Sequence, residues 1–518
     1  MNKKPIITAE EAANLINNDD VFMAAGFVSS GVPEHIYKAI EERFLKTGEP
    51  KNLSFYFVSS QGDKEGHGAE HLAHEGLLKR TCGAHYAKMP ALYKMINENK
   101  FEAYNIPQGI MAMLLRDIAA GRVGHITPVG INTFVDPRNG GGKLNEITTE
   151  DLVELISIDG KEQLLYKPFY PNIAFVRGTT ADENGNVTME HECCPMDATA
   201  TAMATKNSGG KVIVQVERVT KSGSLDPKLV KIPGIYVDAI VICDNPKEHE
   251  QCFGCEYDPT FTGESRSEMI KSKPIPMSAK KIIGRRGALE LRQNTVVNLG
   301  IGTPEYVAKV ADEEGIGDYV TLTVEAGPIG GVPASGNQFG GSTNPECLLD
   351  QAYQFDFYCG GGLDYAFLGL AESDKEGNIN VSRFNGVVAG CGGFIEITQN
   401  AKRVYFLGTF TAGGLKVHTE NGKLVIDQEG STIKFLEHVE QVTFSGKYAS
   451  LKKQPVKYIT ERAVFELRED GVYLTEVAPG IDIKTQILDL MNFEPKMDIG
   501  GPSLMDERIF RDELMGLK

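Results

Sequence analysis

The segment best suited to chemistry runs Asp318-Tyr319-Val320-Thr321-Leu322-Thr323-Val324-Glu325-Ala326-Gly327-Pro328-Ile329-Gly330-Gly331-Val332-Pro333-Ala334. A β-branched strand delivers one acid, Glu325, at its carboxyl end, and glycines and prolines shape the backbone directly after it. A strand end fixes a carboxylate in space, and glycine N–H groups can close on a reacting carbonyl, so the pattern suits a carboxylate nucleophile with an oxyanion hole. The ordinary alternative is an acid that ends a strand before a turn. A second cluster, Val388-Ala389-Gly390-Cys391-Gly392-Gly393-Phe394, follows a hairpin and can expose consecutive backbone N–H groups, which favours the nucleophile over the turn. A third, Asn298-Leu299-Gly300-Ile301-Gly302-Thr303-Pro304-Glu305, lies at a strand-to-helix junction, where amides could face a diphosphate or a pantetheine arm. Glu305 stands where a dinucleotide fingerprint would need its third glycine. The turn Asn105-Ile106-Pro107-Gln108-Gly109 offers a side-chain amide, and Gly26-Phe27-Val28-Ser29-Ser30-Gly31 a turn able to cover a cleft.

Weaker constellations are set aside. His67, His71, His74 and His85 cluster with Glu70 and Glu75, but the order H-E-x-x-H is absent, so solvated or capping histidines are expected rather than a metal site. Cys252-Phe253-Gly254-Cys255 has no second pair at zinc-finger spacing and reads as two ordinary thiols in a connecting loop. The 9 cysteines, odd in number and scattered, read as reduced. There is no G-x-x-x-x-G-K-[ST] loop and no G-x-S-x-G elbow, which argues against NTP hydrolysis and a serine hydrolase.

The elements that must position these residues repeat. Val21-Phe22-Met23-Ala24-Ala25-Gly26, a Gly-rich turn, Pro33-Glu34 and a helix are matched by Val296-Val297-Asn298-Leu299-Gly300, Gly302, Pro304-Glu305 and a helix. Asp182-Glu183-Asn184-Gly185-Asn186 and Asp374-Lys375-Glu376-Gly377-Asn378 each predict a hairpin after a buried strand, with glycine in the left-handed region. The two landmarks lie much farther apart in the first half, which predicts an insertion near residues 100–170. The stretch 246–280, with its prolines up to Lys273-Pro274-Ile275-Pro276, reads as a linker between domains 1–245 and 281–518. Continuous Val/Ile/Phe strands feeding Gly-rich turns and amphipathic helices predict an α/β fold of two related domains. Each domain would be a largely parallel sheet flanked by helices, with the active site in the interdomain cleft.

The chain has 518 residues, and 53 Lys+Arg against 70 Asp+Glu give a net charge of −17. No basic run gives a footprint for nucleic acid or an anionic membrane, so neither is expected as a partner. No 18-residue apolar run exists, and Met1-Asn2-Lys3-Lys4-Pro5 leads into a Thr8-Ala9-Glu10-Glu11 capping box rather than a signal core, which predicts a cytoplasmic protein. Hydrophobic content of 41% and charged content of 24% are those of an ordinary globular chain, whereas 56 glycines imply many tight turns or close approaches.

Together, Glu325-Ala326-Gly327-Pro328-Ile329-Gly330-Gly331-Val332-Pro333, Ser278-Ala279-Lys280-Lys281-Ile282-Ile283-Gly284-Arg285-Arg286-Gly287-Ala288, Phe355-Asp356-Phe357-Tyr358 with Gly360-Gly361-Gly362-Leu363-Asp364, and Gly390-Cys391-Gly392-Gly393-Phe394 resemble the class I CoA-transferases. The resemblance spans essentially the whole chain and is strongest to the short-chain propionate, lactate and acetate enzymes. It implies exchange of CoA between a short-chain acyl-CoA and a carboxylate (acetate, propionate, butyrate or lactate), through a glutamyl-CoA thioester on Glu325. It further implies CoA contacts at Gly300, Ile301, Gly302, Thr303, Ala389 and Gly393, an oxyanion hole at Gly392 or Gly393, and a substrate-carboxylate contact at Gln108. CoA and acyl-CoA would be substrates, with no permanently bound cofactor and no metal, in a homo-oligomer that could be a tetramer. Glu-Ala-Gly at the nucleophile, where the succinyl/3-oxoacid branch usually has Glu-Asn-Gly, favours short monocarboxylates. Two alternatives stand beside this: an acyl-CoA hydrolase using the same Glu325, and a non-catalytic ligand-binding protein on a related scaffold.

Overall fold

The computed structural model describes residues 3–268 and 274–518, so Met1, Asn2, Lys273 and part of the 246–280 stretch lie outside the described residues. Contacts divide the chain into two compact units. The first comprises Met1–Ser267, Val324–Phe357 and Asn385–Glu396, and the second Glu268–Thr323, Tyr358–Phe384 and Ile397–Lys518. Glu325 and the Gly390–Gly393 cluster therefore belong to the same compact unit as Gln108.

The first unit is built on an all-parallel sheet. Its strands run in the order Ile6–Ile7, Ala239–Ile242, Lys211–Val216, Ile173–Arg177, Val21–Ala24, Leu53–Tyr56, Leu78–Gly83 and Glu102–Asn105. Burial on both faces accounts for the continuous apolar runs. Phe22 pairs in register with Phe55 and Ile173, and its ring stacks on Phe55 at 4.8 Å. The predicted capping box opens the first helix: the Thr8 side chain accepts from the Glu11 N–H, and Glu11 accepts from the Thr8 N–H at 2.8 Å.

In the second unit the strands follow the order Val320–Thr323, Thr295–Leu299, Tyr365–Gly369, Arg403–Leu407, Val456–Ile459, Ala463–Arg468, Gly471–Val477 and Ser503–Leu504. The first five are parallel, and the next two pairings antiparallel. The repeat read from the sequence is present in the sheets. The order 239–242, 211–216, 173–177, 21–24, 53–56 in the first unit is that of 456–459, 403–407, 365–369, 295–299, 320–323 in the second.

The two hairpins repeat atom for atom. Asp182 Oδ1 accepts the N–H groups of Asn184 and Asn186, and Asn186 Nδ2 donates to Oδ2. Asp374 does the same with Glu376 and Asn378. Gly185 (φ 84°) and Gly377 (φ 76°) take the left-handed turn position. Strands Leu78–Gly83 and Glu102–Asn105, and an antiparallel sheet of His125–Thr127, Lys161–Tyr166 and Val153–Ile158, have no counterpart between the matching strands of the second unit. No helix among the described residues is long and apolar enough to cross a membrane.

Candidate active site

Two strand ends prepare the site. Past strand Leu78–Gly83, the loop at Ala84 and Tyr86 receives the second glycine cluster: Tyr86 N–H donates to Ala389 O at 2.7 Å, and Gly392 N–H to Ala84 O at 2.8 Å. A Cβ on Gly390 would stand 2.5 Å from Ala84 O, so only glycine allows this approach. Buried Asn105, at the end of strand Glu102–Asn105, locks the two together: its Nδ2 donates to Gly83 O and Ala84 O, and its Oδ1 accepts Cys391 N–H. The carboxyl ends of neighbouring parallel strands are where α/β folds place ligands.

Two residues beyond Asn105, Pro107 starts the helix Gln108–Ala119, and the Gln108 N–H donates to Gly392 O at 3.0 Å. The Gln108 side chain is buried, and neither of its polar atoms meets hydrogen-bond geometry with another protein group. The Glu325 carboxyl is the group that this amide faces.

Glu325 lies in the turn after strand Val320–Thr323, closed by Gly327 N–H to Val324 O and Val324 N–H to Pro328 O. Gly327 has φ 137°, and a Cβ there would meet Leu349 O at 2.1 Å, which explains the glycine. The carboxylate comes to rest against Gly393: a Cβ on Gly393 would stand 3.0 Å from Glu325 Oε2 and 2.8 Å from Phe355 Cζ. Glu325 retains some solvent exposure, yet the protein around it desolvates its carboxyl, which is pushed up to about 7; the nearby Gln108 amide opposes the rise. A carboxylate in such an apolar, amide-lined setting is weakly hydrated, which favours its protonated form.

Gly392 and Gly393 differ in their backbone bonding. The Gly392 N–H is spent on Ala84 O, and the backbone hydrogen bonds of the turn, which include Phe394 N–H to Cys391 O, leave that of Gly393 unused. The turn Gly26–Gly31 is buried, and Phe27 and Val28 pack in one cluster with Val324 and Ala326, the two neighbours of Glu325. Val28 adopts φ 56°, a costly conformation for a β-branched residue, and its carbonyl accepts Gly62 N–H.

The histidines are occupied by carboxylates. His67 pairs with Asp63, His71 with both Glu34 and Glu41, and His74 with Glu41, while burial and two lysines push His85 down to about 4. All nine cysteines are free; Cys252 and Cys255 face each other across a tight turn. Among the described residues one trio, His35, Cys243 and Glu248, has donor atoms close enough for a cation, and Lys38 already neutralises Glu248 at 2.9 Å.

Gln108, Glu325, Ala389, Gly392 and Gly393 thus fall in one compact unit. Gly300, Ile301, Gly302 and Thr303 belong to the other, in the loop between strand Thr295–Leu299 and helix Glu305–Glu313. There Gly302 (φ 85°) donates its N–H to Glu305 Oε1 at 2.8 Å, and Ile301 is 54% exposed.

A family model for coenzyme A transferase matches residues 6–242. Over 514 residues the chain is 42% identical to the acetate CoA-transferase YdiF of Escherichia coli strain K12, covering 99% of this chain and 96% of that one. The chain belongs to the coenzyme A transferase family. The caffeate CoA-transferase of Acetobacterium woodii is 44% identical over 516 residues, 99% of this chain and 98% of its own. The crystal structure of the YdiF apoenzyme from E. coli O157:H7 matches with a TM-score of 0.94 at 41% identity, covering 100% of this chain and 98% of that one. A YdiF structure described as a thioester complex with CoA matches at 0.93. The protein is a CoA-transferase, with CoA and acyl-CoA as its substrates, and the α/β fold expected from the sequence is the one observed.

The site also contains two groups to which the sequence alone assigns no role. Phe355 supplies the apolar wall between Gly109 and Gly393, and Glu396 lies beneath the first turn of the Gln108 helix. A lone acid in the apolar run Phe394-Ile395-Glu396-Ile397, directly after the glycine cluster, was the available signal.

Proposed function

We propose that the protein exchanges CoA between short-chain carboxylic acids of the acetate type, with Glu325 as the covalent carrier. The observation that carries this reading is the contact of Glu325 Oε2 with Gly393, at 3.0 Å from the place of its missing Cβ, in a pocket that raises the acid to about 7. The Glu325 carboxylate attacks the acyl-CoA thioester carbonyl, the C–S bond breaks, and an acyl-glutamyl anhydride forms with release of CoA thiolate. The thiolate attacks the glutamyl carbonyl, giving a glutamyl-CoA thioester and the first free carboxylate. A second carboxylate enters and reverses both steps, leaving as its own CoA ester and restoring Glu325. Thioester and anhydride are comparably activated, so the scheme needs neither ATP nor a resident cofactor.

Gly393, rather than Gly392, donates its N–H to the oxyanion, because Gly392 is already bonded to Ala84 O. Gln108 presents its buried amide to Glu325 and to the substrate carboxylate or the anhydride. Gly300–Thr303 and Ala389 contact CoA. Along the sequence the chain is organised as domains 1–245 and 281–518 joined by 246–280, with 324–357 and 385–396 of the second counted by contacts in the first compact unit, and it works in the cytoplasm.

Initial-rate measurements with acetyl-CoA and a series of acids test the reading. Ping-pong, acid-dependent formation of new acyl-CoA supports it. Release of free CoA thiol at the same rate without any acceptor acid would make the enzyme a hydrolase instead.

A further inference from the structure

We propose that Glu396 is a positioning residue for CoA transfer: its carboxyl anchors the first turn of helix Gln108–Ala119 and so holds the Gln108 amide toward Glu325. The inference rests on the reading of Glu325 as the nucleophile.

A helix leaves its first N–H groups without intrahelical acceptors, and here the N-cap is Pro107, which has no polar side chain to supply one. The Gln108 N–H goes to Gly392 O at 3.0 Å, and the Ile110 N–H goes to Glu396 Oε1 at 2.9 Å. Gly109 N–H also donates to this carboxyl. Gly109 is required there: an added Cβ would stand 3.0 Å from Glu396 Oε1 and 2.4 Å from Phe355 Cδ1. One buried acid thus fixes the two residues that follow Gln108, and the same stretch of chain, Gly392–Glu396, fixes Gln108 itself.

Burial pushes Glu396 up to about 8, and the charge of Glu325 adds to the rise. The titratable groups that act on Glu396 or feel its charge are Glu325 and Cys391, whose thiol is driven far up by burial. Near neutral pH Glu396 keeps its proton. Its carbonyl oxygen accepts the N–H groups, and no second negative charge stands beside the nucleophile. A glutamine reproduces that state, whereas an alanine leaves the helix N–H groups without their acceptor.

The test is steady-state kinetics of E396A, E396Q, Q108A and the double variant Q108A/E396A, using acetyl-CoA and propionate. In E396A kcat should drop about 10²-fold, the cost of a small misplacement at a reacting centre, with KM for acetyl-CoA little changed. E396Q should regain most of that rate at pH 7 and should not lose activity as the pH is raised past 8. In the Q108A background E396A should cost little more, because Glu396 acts through Gln108. Equal impairment of E396Q and E396A, or fully additive losses in the double variant, would overturn the proposal. If E396A does not fold, the pH profile of E396Q decides: a decline above pH 8 like that of the parent protein overturns it. Hydroxylamine trapping of the parent protein separates the two levels. A trapped Glu325 with an unimpaired E396A sinks this inference alone, whereas an untrapped Glu325 sinks the reading beneath it.

Discussion

Glu325 Oε2 lies 3.0 Å from the point where a side chain on Gly393 would begin. The spacing makes Gly393 a steric necessity as well as a source of an N–H. A G393A variant should bind acyl-CoA but lose about 10²-fold in kcat, because its methyl group displaces either the carboxylate or the Phe355 ring. Steady-state kinetics with acetyl-CoA check this, and a G393A enzyme at full rate would remove Gly393 from the site.

Replacement of Glu325 by Ala should abolish transfer and leave the thermal transition close to that of the parent protein, because the side chain forms no ion pair within the fold. Asp in its place should also be severe, since a shortfall of one methylene, about 1.5 Å, is of a size that costs about 10²-fold. Exchange assays together with calorimetry read both outcomes.

Activity should depend on pH through the nucleophile. Burial pushes the carboxyl up to about 7 and it must be ionised to attack, so kcat/KM for acyl-CoA should rise with pH through about 7 and fall again above about 8, as Glu396 ionises. Gln108 holds that value down, so Q108A should move the inflection to higher pH. A flat profile from about pH 5 to about 8, a window that begins above the ordinary carboxylate value and spans the raised one, would contradict the desolvated setting of Glu325.

The Asp374 hairpin offers a test of stability. Asp374 is buried and accepts two backbone N–H groups and the Asn378 amide. Asp374→Ala should cost about 2–4 kcal/mol, read as a lowered urea midpoint, because it leaves buried donors without an acceptor. The matching Asp182 makes the same bonds and should cost a similar amount.

Much of this was legible in the sequence, for physical reasons that differ by residue. Strand hydrophobicity and Gly-Pro punctuation are local, so the repeat, the two hairpins with Gly185 and Gly377, and the Thr8–Glu11 capping box could all be read from neighbouring residues. Glu325 stood out because few structural needs combine one acid with so many glycines. What was not legible depends on pairs distant in the chain. The different bonding of Gly392 and Gly393 turns on Ala84 O, and the burial of the Gly26–Gly31 turn on packing with Val324 and Ala326. Glu396 acquires its meaning only when helix Gln108–Ala119 starts directly above it.

The most direct measurement is mass spectrometry of the enzyme incubated with acetyl-CoA and then with hydroxylamine, which converts a glutamyl-CoA thioester into a hydroxamate and free CoA. The account predicts that the peptide containing Glu325, and no other, gains the hydroxamate, and that the signal vanishes when a carboxylate acceptor is added first in excess with its product removed. An unmodified Glu325 peptide in an enzyme that is transferring CoA, or a hydroxamate on a different acid, would contradict it.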